Sequence, residues 1–146
     1  MKIRLIWVGK TRERFIDEGI RKYAGLLRPF ADLLITEIRE EKGKEQERIR
    51  EREGERILSL KARYILLDEK GREMTSRAFA DYINRRTPAM SFVLGGAYGA
   101  SEAVKEAADE TIALSQMTLT HEMSRLLLLE QLYRSFSIIN RRGYHH

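Results

Sequence analysis

Apolar residues fall in two rhythms along the chain. Short runs at Ile3 to Val8, Leu33 to Ile38, Tyr64 to Asp68, Ser91 to Leu94 and Thr111 to Leu114 predict five strands. Between them the spacing lengthens to the helical period. Thr11 to Leu27 predicts an amphipathic helix with Phe15, Ile16, Ile20, Tyr23 and Leu27 facing inward, stopped by Pro29. Gln46 to Lys61 predicts a second helix and Thr75 to Arg86 a third, closed by Pro88; another opens at Ser101, and the last runs from about His121 to Asn140. Glu69-Lys70-Gly71 predicts a turn. Strands alternating with helices over short links predict an α/β fold, a mostly parallel sheet flanked by helices. At 146 residues, one domain is expected.

The last helix breaks the amphipathic rule. Leu126-Leu127-Leu128-Leu129 puts apolar surface on every side, and Leu132, Tyr133, Phe136, Ile138 and Ile139 continue it. A helix apolar all round must be covered all round. Either it lies at the centre of one core or part of it meets a second copy.

Charge adds a direction. The chain carries 27 Lys and Arg against 22 Asp and Glu, a net +5. Residues 1–30 hold eight basic and three acidic residues, whereas residues 91–120 hold one lysine and four acids. The mixed run from Arg39 to Arg56 reads as a solvated helix face with (i, i+4) pairs. A basic amino-terminal segment suits either solubility or an RNA backbone. The absence of cysteine excludes disulfides, thiolate metal ligands and a cysteine nucleophile. No apolar run reaches the roughly 20 residues of a membrane span, and a soluble cytoplasmic protein is expected.

Three places hold candidate chemistry. The strand ending at Leu94 runs into Gly95-Gly96-Ala97-Tyr98-Gly99, and ligands bind at the carboxyl ends of strands in open parallel sheets. The spacing matches no dinucleotide or phosphate-loop fingerprint, so a turn required only for its dihedrals stays open. His121 and Arg125, one helical turn apart, could place a neutral imidazole beside a fork suited to phosphate, or could be ordinary surface residues. The tail from Asn140 through Tyr144, His145 and His146 is basic and aromatic, able to meet RNA, or simply frayed. With no third ligand near His145-His146, no metal is expected.

The order of these features resembles one family. A strand entering Gly95-Gly96-x-x-Gly99, then Leu114-Ser115-x-Met117-Thr118-Leu119, His121-x-x-x-Arg125, Glu130-Gln131-Leu132-Tyr133-Arg134 and Tyr144-His145 is similar to the RlmH family of SPOUT-class methyltransferases. The likeness runs end to end, including Ile6-Trp7-Val8-Gly9-Lys10, and is most specific in the carboxy-terminal third. The family methylates N3 of a pseudouridine in large-subunit (23S) ribosomal RNA.

The resemblance implies an α/β fold with a carboxy-terminal trefoil knot, S-adenosyl-L-methionine as methyl donor, and a homodimer acting on the ribosome or its RNA. It implies that Leu67, Gly95, Leu114, Ser115, Gln116, Met117, Thr118 and Leu119 hold the cofactor. His121, Arg125, Tyr144 and His145 would lie near the target nucleotide, some contributed across the dimer, with His121 or His145 removing the imide proton. Two departures stand out. Ala97-Tyr98 occupies positions where relatives often carry a small residue or proline and then a polar one. Thr120 replaces the proline that commonly precedes the histidine, and could cap the last helix instead. The alternatives are a non-catalytic RNA-binding homodimer and a SPOUT methyltransferase with another RNA target.

Overall fold

The computed structural model describes residues 1–86 and 88–140. Five strands, β1 (Lys2–Val8), β2 (Asp32–Ile38), β3 (Ile65–Glu73), β4 (Ala89–Leu94) and β5 (Glu110–Ala113), form one sheet in the order β2-β1-β4-β3-β5. Every pairing within it is parallel, so the α/β expectation holds.

Period-2 alternation along β1 divides the core. Ile3, Leu5 and Trp7 pack with α1 (Arg14–Leu27), α3 (Ser76–Asn84) and α5 (His121–Ile139) on one face; Ile6 and Val8 pack with α2 (Gln46–Leu58) and α4 (Glu102–Ala107) on the other. Three hydroxyl caps set helix starts: Thr75 accepts from the Ala78 amide, Ser101 from Val104 and Thr120 from Met123. Thr120 therefore does the capping anticipated for it.

α5 lies between α1 and α3, in contact with both. No residue from His121 to Ile139 is fully exposed, which accounts for its all-round apolar composition. Leu128, Leu129, Leu132 and Phe136 are buried in the core, while Leu126, Leu127, Tyr133, Ile138 and Ile139 are half-buried.

Four readings are corrected. α1 begins at Arg14 rather than Thr11, because the amides of Arg12 and Glu13 are bonded elsewhere. Phe15 is 60% exposed, off the Ile16-Ile20-Leu27 stripe that enters the core. α2 stops at Leu58, since Lys61 takes a left-handed φ of 53°. Residues 69–71 are not a terminal turn. β3 continues past them to Glu73, with Leu67 and Arg72 both paired to Ile112 and residues 68–71 looped out between.

Gly71 makes that loop possible. A Cβ there would sit 2.6 Å from the Ile112 carbonyl carbon and 2.7 Å from the Thr111 carbonyl carbon, both backbone atoms that cannot rotate aside. Gly71→Ala is expected to destabilise the protein by about 2 kcal/mol, lowering the melting temperature by about 5 °C in calorimetry.

Candidate functional site

A cleft of about 630 Å³ opens at the carboxyl ends of β4 and β5 and beside the looped-out stretch of β3. That volume lies inside the roughly 300–1,000 Å³ range of small-molecule sites. Its walls come from Leu67 to Glu69, from Leu94 to Ala100, from the loop after β5, and from His121 and Ser124 at the start of α5.

Of the expected cofactor residues, the structure brings together Leu67, Gly95, Leu114, Ser115, Met117, Thr118 and Leu119 around this space. Gln116 is the exception. It points away and donates from Nε2 to Glu73 Oε2 at 3.0 Å, tying the loop to the end of β3. Thr118 makes a second tie, its hydroxyl donating to Glu69 Oε2 at 2.5 Å. The Met117 amide donates to Ser115 Oγ at 2.9 Å. These bonds shape the 114–119 loop as one wall.

The glycine turn forms the opposite wall. The Gly99 amide donates to the Gly96 carbonyl at 3.0 Å, placing Ala97 and Tyr98 at the tip, and Gly99 has a φ of +83° that favours glycine. Gly95 faces the backbone of Gly99 and Ala100 so closely that a Cβ would lie 2.7 and 2.9 Å from their atoms. Sequence reasoning missed Asp68 and Glu69, two carboxylates on the cleft lining. The apolar-run pattern that marks β3 gives no signal for what its looped-out residues line.

His121 is half-buried on the cleft. Burial, and then the charge of Arg125, pull its pKa below the ordinary 6.5 and outweigh the opposing pull of Glu122 and Glu40. The neutral imidazole is therefore favoured, as its position at a helix start suggested.

Arg125 does not offer its fork to solvent. It is 0% exposed, with Nη2 donating to the Val8 carbonyl at 2.6 Å, Nη1 to Thr11 Oγ1 at 2.9 Å, and its guanidinium carbon 4.9 Å from the Trp7 ring centroid. Burial lowers its pKa to about 10, so it stays cationic at neutral pH. Its fork is turned toward β1 and the β1–α1 loop rather than toward a phosphate. It packs the β1–α1 loop against α5, beside His121.

Glu122, which the sequence did not single out, completes this contact. Its carboxylate accepts the Arg12 amide at 3.1 Å and the Glu13 amide at 3.0 Å, capping α1 from a different helix. Burial pushes its pKa up, but the Glu13 and Arg12 amides and the Arg125 charge more than reverse that, and the net shift is downward. Glu53, read as part of a solvated face, is also buried; it accepts the Glu41 amide at 3.1 Å, and burial raises its pKa. Tyr144 and His145 lie outside the described residues. Among the described residues there is no group of three His, Asp or Glu placed to hold a metal, and no helix long and apolar enough to cross a membrane.

Fold and cleft together define an α/β protein with helices on both faces of its sheet and a cleft of small-molecule size at the carboxyl edge. Comparisons with known proteins give the family. The model described as "Predicted SPOUT methyltransferase" matches residues 1–145. A protein of Geobacter sulfurreducens named ribosomal RNA large subunit methyltransferase H is 49% identical, with 100% of both chains covered. Its namesake in Geotalea uraniireducens is also 49% identical, again with 100% of each chain covered. Among solved structures, a "probable methylase family protein" from Haemophilus influenzae Rd KW20 superposes with a TM-score of 0.59 at 11% identity, over 99% of this chain and 70% of that one, a likeness of fold alone. The chain belongs to the SPOUT methyltransferase family, and its full-length relatives are the ribosomal RNA large subunit methyltransferases H.

Proposed function

We propose that this protein uses S-adenosylmethionine to methylate N3 of a pseudouridine in large-subunit ribosomal RNA. One observation carries the reading above all: the cleft at the ends of β4 and β5 and the looped-out stretch of β3 gathers seven of the eight residues that the family resemblance assigns to the cofactor. The relatives' shared name supports ribosomal RNA as substrate and, with it, a cytoplasmic site of action.

The residues present fit such a cofactor. Glycine-rich backbone at Gly95 and Gly96 allows close approach, Leu67 and Leu114 offer apolar contact, and Asp68 and Glu69 offset positive charge. When bound, S-adenosylmethionine supplies an already activated methyl group, so the chain must provide alignment and proton removal. Backbone groups of the 114–119 loop and Gly95 hold the donor; neutral His121, on the same lining, accepts the imide proton of the target base. His145 is the competing base. The family's trefoil knot, threading the segment around residues 114–119, belongs to this reading.

A homodimer belongs to it as well. Phe15 and Leu26, exposed by 60% and 37%, lie along the side of α1 where Gly19 meets Leu126 of α5. This apolar seam supports a second copy that would bring Tyr144 and His145 to the site.

Tritium transfer from labelled S-adenosylmethionine to ribosomes lacking the modification tests the activity, and mass spectrometry of the product locates the methyl. No incorporation by folded wild-type protein would refute the proposal. Incorporation at another nucleotide would favour the alternative target. His121→Ala is expected to slow transfer by about 100-fold or more. Because burial and Arg125 lower the imidazole pKa, the rate should be flat from pH 6.5 upward and fall only below it, and His121→Ala should lose that acid limb. Folding follows the same sign: this histidine's contribution is fully present above pH 6.5 and lost as pH falls through its depressed folded-state value.

A further inference from the structure

Tyr98 is a large aromatic side chain with 45% of its surface exposed, at the tip of a turn that lines the cleft. Turn tips ordinarily carry small polar residues, because an apolar ring in water has no packing to offset its ordering. The turn beneath it is stiff: the Gly96–Gly99 bond closes it, Gly99 is left-handed, and Gly95 sits against its base with no room for a methyl. Arg50 of α2 braces it from outside, Nη1 donating to the Tyr98 carbonyl at 3.4 Å. The ring is thus held out rather than trailing on a loose loop. Met117, 79% exposed, lines the same cleft from the 114–119 loop, so two exposed apolar side chains flank one opening.

We propose that Tyr98 is a substrate-positioning residue whose ring stacks on a base of the ribosomal RNA at the cleft mouth, next to the nucleotide being methylated. The proposal rests on the methyltransferase reading and names a contact within it. A base admitted for chemistry must leave its neighbours, and unstacked bases are caught on aromatic side chains and guanidinium groups. Met117 packs against the open side of the inserted base, since a thioether adapts to an aromatic face. Arg50, partly exposed beside the Tyr98 carbonyl, is placed to meet a flanking phosphate. An RNA base accounts for the combination of ring, thioether and cation better than the cofactor does, because the ring is at the tip of the turn whereas the cofactor residues line its base and the facing loop.

The test compares Tyr98→Phe, Tyr98→Leu and Tyr98→Ala in steady-state methylation of ribosomes lacking the modification. Co-sedimentation with those ribosomes in S-adenosylhomocysteine reads binding without chemistry. Stacking on one base predicts that Ala and Leu raise KM for ribosomes by about tenfold or more while kcat changes less than threefold, and that Phe stays within twofold of wild type. Co-sedimentation should weaken in parallel, with calorimetric affinity for S-adenosylmethionine unchanged. Unchanged KM and co-sedimentation in the Ala variant would overturn the proposal. So would a Leu variant as good as Phe, an equal loss of S-adenosylmethionine affinity, which would make Tyr98 a cofactor wall, or a change of mass in light scattering, which would make it a contact between copies. Wild-type protein that neither binds nor methylates the ribosomes would instead refute the methyltransferase reading on which the stacking depends.

Discussion

Gly95→Val is expected to abolish calorimetric binding of S-adenosylmethionine, with affinity falling at least a hundredfold and methyl transfer falling with it. The reason lies in what surrounds the missing side chain. A Cβ on Gly95 would stand 2.7 Å from the Gly99 carbonyl carbon, 2.9 Å from the Ala100 nitrogen and 3.1 Å from the Gly99 Cα. All three belong to backbone, so the clash cannot be relieved by turning a side chain. Either the strand end or the turn from Gly96 to Gly99 must move, and both line the cleft. A branched Val adds two methyls to that displacement and narrows the opening as well. Gly95→Ala, with one carbon, should show an intermediate loss, giving a graded series. Fold must be checked separately: β4 ends at Leu94, so circular dichroism should be close to wild type, with the melting temperature falling by at least the roughly 5 °C expected for Gly71→Ala. A Gly95→Val protein that is folded and binds S-adenosylmethionine normally would mean that the donor sits elsewhere.

Where signals are local, the sequence carried them. Apolar runs marked all five strands, and the threonines and serine that cap α3, α4 and α5 stood where the hydrophobic period began. The glycine turn after β4 pointed to a ligand site at the sheet's carboxyl edge while leaving open a turn needed only for its dihedrals, and the cleft lies there. What stayed hidden depends on contacts between distant segments. α1 starts late because its capping carboxylate is Glu122, more than a hundred residues away. Gly71 reads as a turn former, yet its small size matters because the β5 backbone passes against it. Glu53 sits in a run of alternating charge whose local pattern is that of a solvated face; its burial follows from the Glu41 amide folding back over it. Arg125 is the clearest case. Its spacing from His121 suggested a shared catalytic face, but its partners are a β1 carbonyl and a loop hydroxyl from the other end of the chain.

Arg125→Ala should therefore act first on stability and only through it on catalysis. The substitution removes a charge-assisted bond to the Val8 carbonyl, a second to Thr11 Oγ1, and the packing of the guanidinium on Trp7. It leaves the Val8 carbonyl without this donor and opens a cavity where a fully buried side chain stood. Charged hydrogen bonds contribute about 1.5–3 kcal/mol each, and the cavity adds to that, so a loss of about 3–5 kcal/mol is expected in urea unfolding. The melting temperature should fall by about 10 °C. Arg125→Lys keeps the charge but has no planar fork to reach both acceptors while lying on the indole, and should recover less than half of the loss. Because Val8, Thr11 and the amides held by Glu122 form the link between β1 and α1, loosening them also frees the segment beside His121. In the Arg125→Ala protein, assayed well below its melting temperature, kcat should drop several-fold with KM for ribosomes within about twofold. A direct phosphate contact makes the opposite prediction: an unchanged melting temperature and a KM raised tenfold or more. The two readings of this arginine separate on one pair of measurements, thermal unfolding and the ribosome titration, and the burial of its guanidinium against Trp7 favours the first.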